Sequence, residues 1–309
     1  MTHHLLIDTD PGVDDALAIL MAHTHPDARI AALTVTAGNV GLHHTLSNAL
    51  KLCEVAGIDA PVFPGAPLPL VATPEDAAYV HGRDGFGDTG YTPATREAET
   101  EHAALAMLRL SRERDGELTF VMLGPLTNLA LALSLDPTLP QRVPRLIIMG
   151  GAVTGLGNTR IPVEFNTGFD PEAARIVFER WPEFELVDWE ATLRHGLPHE
   201  KCDRWFATNH PLARFYNAIS TNTRAWAAGL RGNTWHSADA LAMAQVLEPG
   251  GALEVAERAV SVELGGQFAR GMTVVDWAGR NETPANARIL MRYDQARFEA
   301  LVQCAVGAG

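Results

Sequence analysis

Residues 5–18 read LLIDTDPGVDDALA, and the rest of the chain is interpreted outward from this stretch. Its apolar start, residues 5–7, is typical of a short buried strand. Pro11 and Gly12 favour a turn, because proline presets φ and glycine accepts a positive φ. Asp14 and Asp15 then open a helix, where carboxylates suit the positive end of the helix dipole. The stretch therefore predicts a strand, a turn and the start of a helix.

Four carboxylates of this stretch, Asp8, Asp10, Asp14 and Asp15, fall within eight residues. We expect them to converge near the end of the strand. Like charges that close repel strongly unless they are protonated or neutralised by a cation. A site made only of carboxylate oxygens favours Ca²⁺ or Mg²⁺ over zinc. The alternative is that two of the four cap the helix while the others face solvent.

Composition limits the classes of partner. The chain has 309 residues, of which 47% are hydrophobic and 20% charged, as in ordinary globular proteins, and we expect a single domain over residues 1–309. Its formal net charge of −13 argues against nucleic acid or an anionic membrane as partner. Three cysteines without metal-type spacing indicate small core residues in a reducing compartment. With neither a signal-peptide pattern nor a long apolar stretch, we expect a cytoplasmic protein.

Strand-like and helix-like segments alternate through residue 188, which predicts right-handed βαβ units. The fold class is therefore α/β, with a mainly parallel doubly wound sheet, helices on both faces and additional C-terminal strands. Predicted strands cover residues 5–7, 30–36, 59–63, 118–123, 145–149, 184–187, 259–264, 272–277 and 288–293. Predicted helices cover residues 14–22, 42–55, 101–114, 129–135, 200–228 and 237–247, with another starting at Pro171 and one at the C-terminus. Residues 64–98 and 152–169 are predicted to be long loops.

Polar side chains follow several predicted strands at the point where each strand ends. These polar segments are residues 8–15, Asn39, residues 81–88, residues 123–124 and residues 149–166. Open α/β sheets bind ligands at the carboxyl ends of their strands. We therefore expect a pocket composed from several loops above one edge of the sheet.

Six segments, taken in order, resemble the nucleoside hydrolase family of the inosine-uridine preferring type. They are DTDPGVDDA at 8–16, Gly38-Asn39, His81-Gly82, GPLTN at 124–128, Met149-Gly150-Gly151 and Glu164-Phe165-Asn166. The resemblance covers about residues 5–245. It implies hydrolysis of the N-glycosidic bond of ribonucleosides by a Ca²⁺-bound water. It also implies a nucleoside substrate and a homodimer or homotetramer.

The resemblance assigns roles by position. It makes Asp10 the general base, and its implied metal ligands are Asp10, Asp15, Asp239 and the carbonyl of Leu123. The implied sugar contacts are Asp14, Asn39 and Asn166 for the 2′- and 3′-hydroxyls, with Asn158 and Glu164 for the 5′-hydroxyl. These residue types suit an oxocarbenium-like transition state, an activated water and a neutral sugar. Arg160 is the only cation in the matched loops, which favours free nucleosides over nucleotides.

The chain departs from the family pattern at the residue that protonates the leaving base. In many relatives a histidine stands directly before the last metal aspartate and acts as general acid, and others carry tryptophan there. Here Ala238 precedes Asp239, so His236 and His81 are the candidate acids. A shifted register would give His236 the acid position but would replace the metal carboxylate with Ser237.

Aromatic side chains are candidates for holding the base. Trp226 and Trp235 could stack on it, although aromatic residues at helical spacing more often belong to a core.

Two other functions are compatible with the sequence. The first is a ribosyl-ligand binder that keeps the metal and sugar site without catalysis, which Ala238 motivates. The second is an aspartyl-phosphate phosphatase, because Asp8-Thr9-Asp10 follows the first strand. That chemistry needs a cationic partner and Mg²⁺, and the chain has no well-placed lysine for it. The preferred base is not readable from the sequence.

Overall fold

The structure is a computed structural model of the chain and describes residues 3–159, 162–280 and 282–308. In these ranges the strands are β1 (His3–Thr9), β2 (Ala28–Val35), β3 (Val62–Pro64), β4 (Leu118–Met122), β5 (Arg145–Met149), β6 (Phe184–Val187), β7 (Leu197–Pro198), β8 (Thr234–Trp235), β9 (Ala252–Arg258), β10 (Val260–Val262), β11 (Thr273–Val275) and β12 (Ala287–Tyr293).

The helices of the described ranges begin and end as follows. They are α1 (Val13–Thr24), α2 (Leu42–Ala56), α3 (Ala78–His81), α4 (Ala103–Glu113), α5 (Thr127–Leu135), α6 (Phe165–Phe169), α7 (Pro171–Arg180), α8 (Trp189–Arg194), α9 (His199–Phe206), α10 (Pro211–Arg231), α11 (Ala238–Leu247) and α12 (Gln295–Ala305). Within these ranges no helix combines the length and the apolar character that crossing a membrane requires.

The central sheet has eight strands in the order β3-β2-β1-β4-β5-β6-β12-β9. All neighbouring pairs are parallel except β12 and β9, which run antiparallel at one edge. Two small antiparallel ladders, β7–β8 and β10–β11, lie outside it. The first strand is central, so the acidic stretch that follows it is placed in the middle of the sheet edge.

Successive side chains of β1 enter two different cores. Leu5 and Ile7 pack with α1 and α11 on one face of the sheet, whereas Leu6 packs with α4, α5 and α7 on the other. This alternation follows from the two-residue period of a strand. Both faces are therefore covered by helices, and the predicted α/β fold class is confirmed.

Several element predictions need correction. The edge strand β9 was not predicted, because most of its side chains are at least partly exposed and it lacks an apolar pattern. The short helices α3 and α6 lie inside segments that were predicted to be loops. The helical region predicted over 200–228 is two helices, and Pro211 begins the second. Asp170 does cap α7, with its carboxylate accepting the N–H of Ala173 at 3.0 Å.

Candidate functional site

The carboxyl ends of the central strands border one cavity. It encloses about 810 Å³, including the space at its open mouth. Most of the predicted site residues line it: Asp10, Asp14, Asn39, His81, Leu123, Asn158, Glu164, Asn166, Trp226, Trp235, His236 and Asp239. Asp15 is buried directly behind this lining. The structure therefore brings together residues that are up to 229 positions apart in the chain.

Three carboxylates form the acidic centre of the cavity. Asp14, Asp15 and Asp239 each offer one oxygen, and these oxygens all lie within 4.8 Å of one another. Asp14 and Asp15 come from the first turn of α1, and Asp239 comes from the first turn of α11. The sequence assigned Asp10 to the metal and Asp14 to the sugar, whereas this group contains Asp14 and not Asp10.

Asp15 is held in place by four hydrogen-bond donors. One carboxylate oxygen accepts from the hydroxyl of Thr9 and the backbone N–H of Asp10, the second at 3.2 Å. The other accepts from the N–H of Gly12 at 3.0 Å and the amide of Asn39 at 3.1 Å. Hydrogen bonds to a carboxylate favour its charged form. Burial and then the charge of Asp14 nevertheless raise the pKa of Asp15, so the hydrogen bonds fix where this carboxyl group lies at the centre.

Asp10 is wedged between two glycines. Its Oδ2 accepts the N–H of Asn39 at 2.7 Å. A Cβ placed on Gly38 would lie 2.1 Å from Oδ2, and one placed on Gly124 would lie 2.5 Å from Oδ1. Only residues without a side chain leave room for this carboxylate, so its position is determined by its neighbours.

The acidic centre fits a cation. Burial, and then the neighbouring carboxylates, raise the pKa of Asp239 well above its ordinary value. Burial and the charge of Asp15 do the same for the pKa of Asp10. In the described part of the chain, Oδ1 of Asp14 is buried without a hydrogen-bond partner. An orphaned carboxylate oxygen among other carboxylates is a ligand set for a hard divalent ion.

Two amides connect this centre to the next strand ends. Asn39 also donates its side-chain amide to the carbonyl of Asp10 at 3.1 Å. Asn166 donates its amide to the carbonyl of Leu123 at 2.7 Å and to that of Met149 at 3.2 Å. Each amide is thereby oriented by backbone that borders the cavity, so its carbonyl oxygen is the part left to meet a ligand.

Glu164 and Asn158 occupy another part of the wall. Glu164 caps α6 and accepts the N–H groups of Gly151 at 2.8 Å and Asn166 at 3.0 Å. Burial raises the pKa of Glu164 to about 7 in spite of these hydrogen bonds. Oδ1 of Asn158 accepts the N–H of Phe165 at 2.8 Å. Arg160, the cation expected near these loops, lies outside the described residues.

Asp8, the first acid of the opening stretch, lies behind the centre. One of its carboxylate oxygens accepts from Thr34 at 2.7 Å and from Asn128 at 2.9 Å. Burial raises the pKa of Asp8 to about 7.

His81 is fixed by the first turn of α1. Its Nδ1 accepts the N–H of Val13 at 3.2 Å and lies 4.0 Å from Oδ1 of Asp14. Burial lowers the pKa of His81 to about 4. The ring is therefore neutral at pH 7, and because Nδ1 is an acceptor, the proton is on Nε2.

His236 has a different environment. Its ring hydrogen-bonds the backbone of Leu193, and within the described ranges its Nδ1 is buried with no partner. Burial, and then the charge of Arg231, lower the pKa of His236. Ser237 stands at the N-cap position of α11, but its hydroxyl does not cap the helix. Ala238 lines the cavity beside them.

Aromatic residues form one end of the cavity. Trp226 is half-buried and meets Tyr79 edge-on, with ring centroids 6.0 Å apart. Trp235 is buried and packs on Tyr216 at 6.1 Å between centroids. Trp235 therefore serves the core as well as the cavity. Asn222, four residues before Trp226 on α10, donates its amide to the carbonyl of Gly87 at 2.8 Å.

Trp189 and Arg231 are among the lining residues that sequence reasoning missed. The guanidinium of Arg231 lies over the Trp189 ring, 4.5 Å from its centroid. Trp189 follows the end of β6, the same kind of strand-end position that identified the other segments. That signal could have found Trp189. Arg231 ends a 21-residue helix and has no comparable signal.

The arrangement has two chemical halves. One is an acidic and amide-rich centre, which suits a cation and a neutral polyol such as a sugar. The other is aromatic, with the guanidinium of Arg231 and the ring of His236 beside Trp189, which suits a flat heterocycle. A ligand with a sugar at one end and an aromatic ring at the other matches both halves.

Comparisons with known proteins identify the family of the chain. A family model described as inosine-uridine preferring nucleoside hydrolase matches residues 5–300. The chain is 32% identical over 302 residues to the pyrimidine-specific ribonucleoside hydrolase RihB of Escherichia coli strain K12. The aligned region covers 97% of this chain and 95% of that protein. The resemblance seen in the sequence motifs is confirmed, and the family match extends beyond residue 245.

Solved structures are similar over nearly the whole chain. An inosine-guanosine nucleoside hydrolase has a TM-score of 0.93 at 32% identity, with 99% of both chains covered. A purine-preferring ribonucleoside hydrolase from Gardnerella vaginalis has a TM-score of 0.91 at 26% identity, with 98% of both chains covered.

Proposed function

Because this chain belongs to the inosine-uridine preferring nucleoside hydrolase family and is a hydrolase of N-glycosyl compounds, we propose that Ca²⁺ and a ribose-binding centre carry its activity. The proposed substrates are free ribonucleosides, and the products are the base and ribose. The proposed metal ligands are Asp10, Asp15, Asp239 and the carbonyl of Leu123, with Asp14 at the same centre. Calcium is preferred over zinc because every proposed donor is an oxygen.

One observation carries the proposal. The carboxylate oxygens of Asp14, Asp15 and Asp239 lie within 4.8 Å of one another, and the amides of Asn39 and Asn166 border the same cavity. Acids together with oriented amides can hold both hydroxyls of a ribose diol. A 2′-deoxy analogue would leave such groups unpaired, and sites of this kind reject it strongly.

The chain's own residues account for the hydrolytic step. Ca²⁺, when bound, orients the sugar diol and lowers the pKa of water. Asp10 accepts a proton from the water that attacks C1′, and the hydrogen bond from the N–H of Asn39 orients its carboxylate for this role. The surrounding carboxylates stabilise the positive charge that develops on the sugar ring. Asn158 and Glu164 are assigned to the 5′-hydroxyl.

We assign the donor for the leaving base to His81. Its neutral ring carries the proton on Nε2, and a neutral imidazole can still polarise a developing negative charge. His236 is a weaker candidate, because its ring is bonded to the backbone of Leu193 and its Nδ1 is not accessible. Trp226 and Trp235 supply aromatic contacts to the base.

Ribose release from uridine, inosine and their 2′-deoxy analogues tests this function. We expect ribonucleosides to be cleaved, activity to be lost after chelation, and Ca²⁺ to restore it. Asp10→Asn should abolish turnover while the protein stays folded, and His81→Ala should lower kcat more than His236→Ala. Full activity of a verified metal-free sample would contradict the metal assignment.

The second candidate is a ribosyl-ligand binder without catalysis. It is favoured by Ala238, which places a methyl group where many relatives have an acid. Tight nucleoside binding without ribose release would select it over the hydrolase.

The cellular setting is also proposed. We expect a homodimer or homotetramer in the cytoplasm that contributes to purine or pyrimidine salvage. Cys53 and Cys202 are buried as expected, but Cys304 is exposed near the end of α12, so the expectation of a core position was wrong for that residue. Light scattering and fractionation test these expectations.

A further inference from the structure

Two buried acids at the start of α8 hold a turn that leads to the cavity wall. Asp188 accepts the N–H of Val153 at 2.9 Å. Glu190 accepts the N–H of Thr154 at 2.9 and 2.8 Å through its two oxygens, and the N–H of Leu156 at 2.9 Å. Both residues are buried: Asp188 has no exposed surface, and Glu190 is 2% exposed. We call the segment from Val153 to Leu156 the clamped turn.

The clamped turn leads directly to Asn158, which lines the cavity. The N–H of Asn158 donates to the carbonyl of Val163 at 3.2 Å, and its Oδ1 accepts the N–H of Phe165 at 2.8 Å. Asn158 is thus held by the clamp on one side and by the start of α6 on the other. Its amide nitrogen is the group that remains to donate to a substrate.

The residue between the two acids is Trp189, which lines a different part of the cavity. Its backbone N–H donates to the carbonyl of Gly151 at 2.9 Å, and its ring carries the guanidinium of Arg231. The start of α8 therefore places the Trp189 ring at the cavity, and the two neighbouring acids, Asp188 and Glu190, hold the clamped turn. The spacing between Trp189 and Asn158 depends on this connection.

Burying two neighbouring carboxylates is costly, because each loses its hydration and they repel each other. Burial accordingly raises the pKa of Asp188 to about 6. In return, hydrogen bonds from backbone N–H groups to a carboxylate are shorter and stronger than those to a neutral acceptor. The clamped turn therefore has less conformational freedom than a loop whose N–H groups donate to neutral acceptors.

We propose that Glu190 is a positioning residue that fixes Asn158 relative to Trp189, so that the enzyme selects ribonucleosides carrying a 5′-hydroxyl. The inference rests on the proposed function, in which Asn158 contacts that hydroxyl. Releasing the amides of Thr154 and Leu156 would let Asn158 move while the acidic centre stays intact. The loss should therefore depend on whether the substrate has a 5′-hydroxyl.

The test compares Glu190→Ala and Glu190→Gln with wild type on uridine and 5′-deoxyuridine. Asp294→Asn is the matched control, because Asp294 also accepts two backbone N–H groups but caps α12 away from the cavity. Hydrogen exchange of residues 153–158 is measured on the same proteins. It reports on the clamp without requiring activity.

We expect Glu190→Ala to lower the kcat/KM ratio of uridine to 5′-deoxyuridine about tenfold, a loss typical of a misplaced contact. Its kcat/KM with 5′-deoxyuridine should stay within about threefold of wild type, since that substrate never uses the contact. Glu190→Gln should lower the ratio about threefold, because its single carbonyl oxygen still accepts hydrogen bonds. Exchange over residues 153–158 should rise in both variants and not in Asp294→Asn.

The positioning role would be contradicted if kcat/KM fell equally with uridine and 5′-deoxyuridine. It would also be contradicted if hydrogen exchange became faster while the ratio of the two kcat/KM values stayed the same. Unchanged hydrogen exchange of residues 153–158 in the Glu190 variants would show that Glu190 does not hold the clamped turn. Should Glu190→Ala fail to fold, Glu190→Gln decides by the same criteria. If the wild-type protein cleaves no ribonucleoside, the proposed function is contradicted. Hydrogen exchange then still tests whether Glu190 holds the clamped turn.

Discussion

The side-chain amide of Asn39 donates to the carboxylate of Asp15 at 3.1 Å, which joins the end of β2 to the first turn of α1. The same residue donates its backbone N–H to Asp10 at 2.7 Å. One asparagine therefore orients two of the four acids in the opening stretch. The sequence assigned Asn39 to the sugar alone, and the structure adds a role in holding the acids apart.

Replacing Asn39 with alanine should impair catalysis more than folding. The change removes a hydrogen bond to a buried carboxylate, which is worth about 1.5–3 kcal/mol, or about a 10- to 100-fold loss in kcat/KM. Steady-state kinetics with uridine, alongside thermal unfolding, measures both effects. An activity within twofold of wild type would contradict the role of Asn39 in the acidic centre.

Gly38→Ala should displace Asp10. A Cβ at this position would lie 2.1 Å from Oδ2 of Asp10, so the carboxylate has to move. Because misplacing a catalytic group by about 1 Å costs on the order of 100-fold, we expect kcat to fall by about that factor. Gly41→Ala is the matched control, because a Cβ there meets nothing within 4 Å. Equal kinetics for the two variants would show that Asp10 tolerates displacement.

Trp226 and Trp235 should respond differently to truncation. Trp226 is half-buried at the cavity, so Trp226→Ala should raise KM about tenfold through lost stacking on the base. Trp235 is only 3% exposed and packs on Phe206 and Tyr216, so Trp235→Ala should destabilise the fold by about 3–5 kcal/mol. KM values and urea unfolding separate the two outcomes. A stability loss for Trp226→Ala as large as that for Trp235→Ala would place both residues in the core.

The ion pair of Arg145 and Glu185 should stabilise the fold in a pH-dependent way. Burial alone would raise the pKa of Glu185, but the hydrogen bond and charge of Arg145 outweigh it, so the pKa is below its ordinary value. A depressed pKa means that this stabilisation is present above the unfolded pKa and is lost as the pH falls through the folded pKa. Glu185→Gln should therefore cost about 1–3 kcal/mol at pH 7, with a cost that shrinks in acid.

Urea unfolding at pH 7 and pH 3.5 measures this dependence. Glu254→Gln serves as the control, because its contact with Arg292 is exposed and 3.8 Å long, and we expect no measurable change there. A cost for Glu185→Gln that is the same at both pH values would mean that charge does not drive the stabilisation.

Much of the architecture could be read from periodicity. Residues 5–18 predicted β1, the turn and α1, and strand–helix alternation predicted the parallel sheet, since buried parallel strands are continuously apolar. The edge strand β9 was missed because it pairs with β12 alone and is largely exposed. The short helices α3 and α6 were missed because a few residues carry too little periodicity. Their position depends on contacts such as the hydrogen bond from Val13 to His81.

The sequence by itself determined the chemical types at the site. A carboxylate-rich turn after the first strand indicated a hard cation, because charge belongs to the residues, and the family resemblance of the ordered motifs added the sugar. The tertiary structure decided which of those groups meet. It placed Asp14 with Asp15 and Asp239, set Asp10 between two glycines, and brought Trp189 beneath Arg231. Distances between side chains far apart in the chain depend on how sheet and helices pack, and no local pattern encodes them.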